Sequence, residues 1–342
     1  MNGTVIPRAG VAVLLVGMGL WPARGQLELV EVRKIWDAAP HNAFTDLARH
    51  RERWWCVFRE ADAHVPHSNG VIRILTSGDG RMWQSAAVVA QAGVDLRDPK
   101  VSVLPDGRLM LLMGGSVYDG PERPQARRLI TARTRVAFSE DGAHWTVPQP
   151  VSVPEGDWLW RVTWHKGVGY GFSYRHDGPA NAYALTLWRT TNGVDYQKVA
   201  TPVPSPGCWP DEVTVRFLSD DSMVALVRNE RDRGPAFVGR SQPPYTNWVF
   251  VNAGHPVQGP NFVVLGEGRM VYAGRDFPAG PKTVVGFLTL AGCQPLLTLP
   301  SGGDTSYPGL VWHEGLLWIS YYASHEGKAA IYLAQVRPQP GS

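Results

Sequence analysis

The feature that most constrains this chain is a short turn motif that recurs along it. Each copy has a Ser or Thr, then Asp-Gly or Asn-Gly, then an aromatic residue, and each follows a strand-like apolar run. Asp-Gly and Asn-Gly favour tight hairpins, and the hydroxyl can bond the turn backbone. We call this motif the aromatic turn. Copies at residues 77–83, 139–145 and 190–196 begin 62 and 51 residues apart, and residues 241–248 form a degenerate fourth copy. The motif predicts a repeated antiparallel unit.

A second set of turns counts the repeats. Six turns each precede a run of alternating apolar residues, at residues 49–53, 105–108, 165–168, 218–223, 266–270 and 313–316. This spacing leaves room for roughly four short strands per unit, which is typical of a β-propeller. A β-sandwich is the alternative, but it would not repeat the aromatic turn at this interval. We predict an all-β fold, a six-bladed β-propeller of four-stranded antiparallel blades, that forms a single domain over residues 26–342.

The N-terminus has the pattern of an export signal. Arg8 precedes a short apolar core at residues 9–21, and the small residues Ala23 and Gly25 favour cleavage before Gln26. We therefore expect a signal peptide at residues 1–25 and a secreted or periplasmic protein. After signal removal we expect no membrane span, because no later run of eighteen apolar residues occurs. The formal charge of +3 gives no reason to expect nucleic acid as a partner.

The sequence predicts neither a metal site nor another cofactor. The ten histidines include no His-x-x-x-His pair with a third ligand, and no Gly-rich phosphate loop with Lys occurs. The three cysteines are far apart and odd in number, so they indicate no disulfide framework. A single disulfide is permitted, and packing in the core is the expected role of the cysteines.

Polar residues recur at equivalent positions of the repeats. The first strand of each unit begins with one of Asn42, Asp98, Arg161, Glu212, Asn261 and Tyr307. The second strand of four units ends on an arginine: Arg59, Arg175, Arg228 and Arg275. Because guanidinium groups bind carboxylates in a bidentate manner, arginines in register indicate a basic pocket at one end of the propeller channel.

With these residues in place, the chain from about residue 35 to its C-terminus resembles the sialidase (neuraminidase) superfamily. The aromatic turns look like the Asp-boxes of that family, each one residue shorter than the common form. The strand of Glu212 with Arg228 after it, the strand end Gly274-Arg275-Asp276 and Tyr307 are similar to its site motifs. The resemblance implies a secreted exo-glycosidase that hydrolyses a terminal, possibly acidic sugar of a glycan or glycoconjugate with retention.

The resemblance also implies roles for single residues. Tyr307 would be the nucleophile and Glu212 its general base, and a neutral phenol avoids the repulsion between an anionic sugar and a carboxylate nucleophile. The acid/base would lie in the loop after the first inner hairpin, where Asp62 is the first choice and His64 the alternative.

Substrate binding would involve six residues, of which Arg228 and Arg275 match two members of the carboxylate-binding arginine triad of the family. The first-strand arginine is missing, since residues 41–47 contain none. Arg59 could replace it from the neighbouring strand end, whereas a hydroxylated sugar would suit the polar residues present there. The other expected contacts are Asp98, Asn42 and His64.

Two other functions stay open. The missing arginine is compatible with a non-catalytic propeller that binds glycans. A purely structural or protein-binding propeller is the third alternative, although unpaired charges in its channel would be costly.

Overall fold

A computed structural model describes residues 26–64, 68–120, 127–175 and 183–339. Within these ranges the chain forms six antiparallel sheets, two short 3-10 turns (Arg231–Arg233 and Gly266–Gly268) and no α-helix. The predicted all-β six-bladed propeller is therefore confirmed. The predicted signal peptide, residues 1–25, lies outside the described residues.

No helix in the described ranges is long and apolar enough to cross a membrane.

Apart from β1 (Leu27–Trp36), which joins blade 6, the strands of each blade are consecutive in the described chain. Numbered along the chain, the strands are β1 (Leu27–Trp36); in blade 1, β2 (His41–His50), β3 (Arg53–Ala61), β4 (Val71–Ser77) and β5 (Gln84–Val89); in blade 2, β6 (Asp95–Val103), β7 (Leu109–Asp119), β8 (Arg128–Ser139) and β9 (Gln149–Pro150); in blade 3, β10 (Trp158–Leu159), β11 (Thr163–His165), β12 (Val168–Arg175), β13 (Ala184–Thr190) and β14 (Gln197–Ala200); in blade 4, β15 (Pro210–Phe217), β16 (Met223–Asn229), β17 (Phe237–Ser241) and β18 (Val249–Asn252); in blade 5, β19 (Gln258–Val264), β20 (Met270–Asp276), β21 (Lys282–Thr289) and β22 (Gly292–Thr298); and in blade 6, β23 (Thr305–His313), β24 (Leu316–Ala323) and β25 (Ala330–Pro338).

The first strand of the described residues closes the ring. Strand β1 pairs with β25 and so becomes the outermost strand of blade 6. Its Leu27, Leu29 and Val32 pack against the apolar cluster between blades 5 and 6. Among the described residues, one such cluster lies between each pair of neighbouring blades. Burial between the sheets therefore holds the blades together around the whole ring.

The aromatic turns are closed by their own side chains. In the first copy, Gly80 N donates to the Ser77 hydroxyl (2.9 Å), and Trp83 Nε1 donates to Gly80 O (3.0 Å). Two backbone N–H groups donate to the Asp79 carboxylate, at 2.8 and 2.9 Å, and hold its pKa at about 2. The degenerate copy keeps the indole contact, from Trp248 to a backbone carbonyl (2.9 Å). These turns join the third and fourth strands, so they lie at the end of the ring opposite to the starts of the innermost strands.

Each innermost strand except that of blade 3 is interrupted near its start. Pairing with the second strand is broken by a bulge between residues 43 and 46, 97 and 100, 210 and 213, 258 and 261, and 306 and 309. In blade 3, residues 160–162 separate β10 from β11 instead. Four of the bulges contain a residue with positive φ: Phe44 (63°), Asp98 (48°), Gly259 (60°) and Tyr307 (52°). A bulge re-aims the side chains next to it, so the strands present new side chains at one end of the channel.

We expect Gly309→Ala to destabilise the fold. A Cβ at this position of β23 would lie 2.2 Å from Leu47 N and 2.5 Å from Asp46 C, both backbone atoms of blade 1. Such overpacking typically costs about 1–3 kcal/mol. Urea unfolding followed by tryptophan fluorescence measures the change. Gly266→Ala is the control, because no atom lies within 4 Å of its added Cβ. Equal midpoints for the two variants would contradict the close approach of the two strands.

Candidate functional site

A cavity of about 470 Å³ lies at the end of the channel where the innermost strands begin. Bulge residues of four blades line it: Phe44, Asp98, Asp211, Glu212 and Tyr307. Arg97, on the innermost strand β6, also lines it, and the second strands and the loops contribute the other lining residues, which are His64, Tyr174, Tyr183, Arg228 and Glu230. The innermost strands therefore form the floor of the cavity, and the second strands and loops form its rim.

Tyr307 and Glu212 meet at the floor, although they are 95 residues apart in the chain. The phenol donates a hydrogen bond of 2.6 Å to Glu212 Oε1, and Gly259 N donates one of 2.7 Å to Oε2. Thr45 Oγ1 donates to the Tyr307 carbonyl (2.8 Å), and the ring of Tyr307 packs against Phe44, with 5.3 Å between centroids. These contacts hold both side chains in one orientation, as a nucleophile and its base require.

Arg228 joins the pair from the end of β16. Its Nη1 lies 2.9 Å from Glu212 Oε2 and 3.2 Å from Tyr307 Oη. Its Nε donates to Glu230 Oε2 (2.8 Å), and its Nη2 contacts the same oxygen. Arg275 lies beside the pair, with Cζ 5.4 Å from the centroid of the Tyr307 ring and Nε donating to the Thr305 carbonyl (2.9 Å).

Burial controls the ionisation of this pair. Burial raises the pKa of Glu212, and the neighbouring carboxylate of Asp211 adds to the effect, whereas Arg228 opposes it. Burial, and then the charge of Glu212, raise the pKa of Tyr307 well above its ordinary value, against Arg228 and Arg275. The resting arrangement is therefore a protonated phenol that donates to a carboxylate, and the raised pKa makes Glu212 a better proton acceptor.

A second polar cluster lies at the rim. Asp304 Oδ2 is 2.9 Å from His41 Nε2 and 2.6 Å from His64 Nδ1, and Tyr322 Oη donates to Asp304 Oδ1 (2.7 Å). Burial alone would raise the pKa of Asp304, but the contacts with the two histidines hold it well below its ordinary value. Ligand atoms of His41, His64 and Asp304 lie within 4.8 Å of one another. In the described part of the chain, these three residues are the ones that could hold a metal ion.

Besides Arg275, three residues predicted from the sequence lie away from the cavity lining. Asp62 is exposed and accepts a hydrogen bond from Ser68 (2.6 Å). Arg59 is fully buried in an ion pair with Asp95 (2.8 Å). Asn42 is also buried, and its side chain donates to the Ala39 and Ala329 carbonyls at 2.8 and 2.9 Å. Their placement gives Arg59 and Asn42 a part in holding the rim together.

Sequence reasoning missed several residues of the site. Arg97, Asp211 and Glu230 line the cavity within two positions of predicted site residues, so an extended search around each predicted residue would have included them. Asp304 has only its position shortly before Tyr307 as a signal. A prolyl residue inside an innermost strand was the usable signal for the bulges, because Pro in a strand is confined to edges and bulges. Such a proline directly follows Asp98, Gly259 and Tyr307.

The side chain of Lys100 is hydrogen-bonded to the bulge that contains Asp98. Sequence reasoning missed this residue as well. Its buried ammonium donates to the carbonyls of Asp98 (3.4 Å) and Pro99 (3.2 Å). It also lies 4.1 Å from the centroid of the Trp160 ring, which packs against Tyr307. Lys100 thus connects the floor of the cavity to the interior of the channel.

A groove of about 610 Å³ adjoins the cavity and shares Asp98 and Tyr174 with it. Its wall is mixed, with the apolar side chains of Leu129, Ile130 and Trp158 beside polar residues such as Glu155. A molecule whose terminal group occupies the cavity therefore has room to extend between blades 2 and 3.

No protein-family model matches the sequence, and no curated protein matches it. Solved structures do resemble the fold. A Dyadobacter fermentans protein of unknown function is 16% identical, with a TM-score of 0.81 over 92% of this chain and 99% of that one. The α-L-arabinofuranosidase Arb93A of Fusarium graminearum is 16% identical, with a TM-score of 0.67 over 90% and 98% of the two chains. For Trypanosoma rangeli sialidase the values are 12% identity, a TM-score of 0.61, and 87% and 55% coverage. Structural neighbours of this propeller thus include propeller glycoside hydrolases.

We expect Lys100→Met to remove a pH dependence of stability. Burial lowers the pKa of Lys100 to about 8, against about 10.4 in an unfolded chain. The unfolded state then binds more protons between these two values, so this group makes the unfolding free energy rise with pH, by at most about 1.4 kcal/mol per pH unit. Urea unfolding between pH 8 and pH 9.5 measures the slope. The exposed Lys198→Met is the control and should keep it. An identical slope in Lys100→Met and the wild type would contradict a charge buried at this position.

Proposed function

We propose that this protein is a retaining exo-glycosidase in which Tyr307 is the nucleophile and Glu212 its general base. The observation that carries the proposal is the 2.6 Å hydrogen bond from the Tyr307 phenol to Glu212 at the floor of a cavity large enough for a sugar. Both residues are buried, so the bond is shielded from water. A phenol is a poor nucleophile unless a base accepts its proton as it attacks, and Glu212 is placed to do so.

The reaction would take place in two displacements. In the first, Tyr307 Oη bonds to the anomeric carbon, its proton passes to Glu212 Oε1, and the glycosidic oxygen leaves with a proton from an acid. In the second, water attacks the anomeric carbon and the bond from that carbon to Tyr307 Oη breaks. The water gives a proton to the conjugate base of the acid, and the phenol oxygen recovers its proton from Glu212. Arg228 Nη1, 3.2 Å from Tyr307 Oη, stabilises negative charge on the phenol oxygen.

His64 is our choice for the acid, ahead of Asp62. His64 lines the cavity, whereas Asp62 is exposed and bonded to Ser68. Asp304 contacts His64 Nδ1, and within the described ranges no hydrogen-bond partner is found for Nε2. Nε2 is thus left to give and take the catalytic proton. The contact with Asp304 (2.6 Å) fixes the orientation of the ring.

The comparisons support a glycosidase without fixing the sugar. The names of the arabinofuranosidase and the sialidase describe enzymes that act on glycosides. What these two proteins share with this chain is the fold. The apolar core and cleavage pattern of the N-terminus support export, so the proposed place of action is the periplasm or the outside of the cell.

We expect Tyr307→Phe to lower kcat for a fluorogenic glycoside by at least about 10³-fold, because the nucleophile is lost. Glu212→Gln should lower it by about 10²–10⁴-fold. Tyr245→Phe is the matched control, since that phenol donates to a backbone carbonyl elsewhere (3.0 Å). Circular dichroism checks that each variant is folded. Full turnover in Tyr307→Phe would contradict the mechanism. Glycan binding without turnover in the wild type, unchanged in Glu212→Gln, would instead establish the non-catalytic alternative.

We expect His64→Gln to lower kcat by about 10²–10⁴-fold for a glycoside with a poor leaving group. The loss should be smaller for a dinitrophenyl glycoside, because that leaving group departs without a proton. Asp62→Asn serves as the control and should behave as the wild type with both substrates. If the leaving-group dependence follows Asp62→Asn instead, Asp62 is the acid.

A further inference from the structure

The charges around the cavity are unbalanced. Among the described residues that line it, the carboxylates are Asp98, Asp211, Glu212 and Glu230, and the guanidinium groups belong to Arg97 and Arg228. His64 is the one histidine among these lining residues. A site that grips a carboxylate would be expected to have the opposite balance, with guanidinium N–H groups free to pair with it.

Arg228 has no free edge for a substrate carboxylate. Its Nε and Nη2 both contact Glu230 Oε2, so the edge that pairs with a carboxylate is taken by the protein itself. Its Nη1 lies against Glu212 (2.9 Å) and Tyr307 (3.2 Å). An anionic sugar would have to displace Glu230 and leave that carboxylate beside its own charge.

The other two arginines near the site differ in position, since Arg97 lines the cavity and Arg275 does not. Arg97 Nη1 lies 3.5 Å from Asp95 Oδ2, and its guanidinium lies 5.2 Å from the centroid of the Phe44 ring. Arg275 donates through Nε to the Thr305 carbonyl, while its Nη2 is buried and has no hydrogen-bond partner among the described residues. Arg275 is also outside the cavity lining. Of the arginines nearest the Tyr307–Glu212 pair, Arg228 is thus occupied by Glu230, and Arg275 lies outside the cavity lining.

We infer that the cavity takes a neutral sugar residue, a pentose or hexose without a carboxylate, and discriminates against uronic and sialic acids. This inference rests on the proposed function and specifies its substrate class. Asp98, Asp211 and Glu230 supply carboxylate oxygens that accept hydrogen bonds from sugar hydroxyls. The same excess of negative charge favours the positive charge that develops on the sugar ring in the transition state.

Matched pairs of ligands test the inference. Isothermal titration compares glucose with glucuronic acid and galactose with galacturonic acid, using the full chain at pH 7, and sialic acid is the third anion. We expect the neutral member of at least one pair to bind about tenfold more tightly or better, with no binding of sialic acid. Equal or tighter binding of the anions would overturn the inference, and so would the absence of binding to any sugar.

Turnover separates this inference from the proposed function. 4-Methylumbelliferyl glycosides of the same sugars, with neutral pentosides added, are assayed beside Tyr307→Phe. Tyr307-dependent hydrolysis of neutral glycosides supports both ideas. Tyr307-dependent hydrolysis of anionic glycosides alone would overturn the inference and keep the proposed mechanism. A neutral preference in binding without any turnover would keep the inference for a binding site and refute the glycosidase.

A charge variant provides a second test. Glu230→Gln removes the carboxylate that occupies Arg228, so the ratio of anionic to neutral binding should rise by about tenfold or more. Glu28→Gln is the matched control, because Glu28 pairs with Arg337 (3.1 Å) on the exposed outer strand of blade 6. It should leave the ratio at the wild-type value. An unchanged ratio in Glu230→Gln would overturn the role given to the charge of Glu230 in excluding anionic sugars.

Discussion

The site depends on the interruption of backbone pairing at the start of the innermost strands. Regular pairing would alternate side chains between the two faces of each blade. Bulges break this alternation in five blades, and those of four blades place side chains in the lining of one cavity. The left-handed backbone of Tyr307 is part of this arrangement, and a non-glycine residue adopts it at a cost that its surroundings must offset. Contacts from Thr45, Phe44 and Glu212 do so here.

The chemistry of the pair follows from where its charges are placed. A buried phenol and a buried carboxylate would be unfavourable neighbours if both were ionised, so the proton stays between them. The positive charge of Arg228 offsets the negative charge of Glu212, and Glu230 in turn holds Arg228 by an ion pair. Each group therefore has its charge compensated before any substrate arrives. Such preorganisation limits rearrangement during a reaction, and it also explains why the cavity has little positive charge to offer.

The sequence predicted the fold well because turns and strand patterns are local. The aromatic turn and the spacing of the apolar runs led to six blades, and the repeat register led to Tyr307 and Glu212 as one pair. Contacts between blades were beyond its reach. Arg59 and Asp95 are both polar at strand positions, and only the packed ring shows that they neutralise each other. The contact of His64 with Asp304, 240 residues away, likewise arises from the closure of the ring.

That closure has a consequence for how the chain acquires its fold. Strand β1 is the first described element to be synthesised, yet its partner β25 is the last. The earliest strand must therefore remain unpaired until the final one is available, with its row of backbone N–H and C=O groups open to wrong partners. Pairing across such a separation in sequence is entropically slow. The two ends of the described chain also finish side by side, where Gln339 N donates to Gln26 O (2.8 Å). In a circular permutant, the present ends are joined and new ends lie in another blade. Pairing of β1 with β25 would then no longer wait for the last strand to be synthesised.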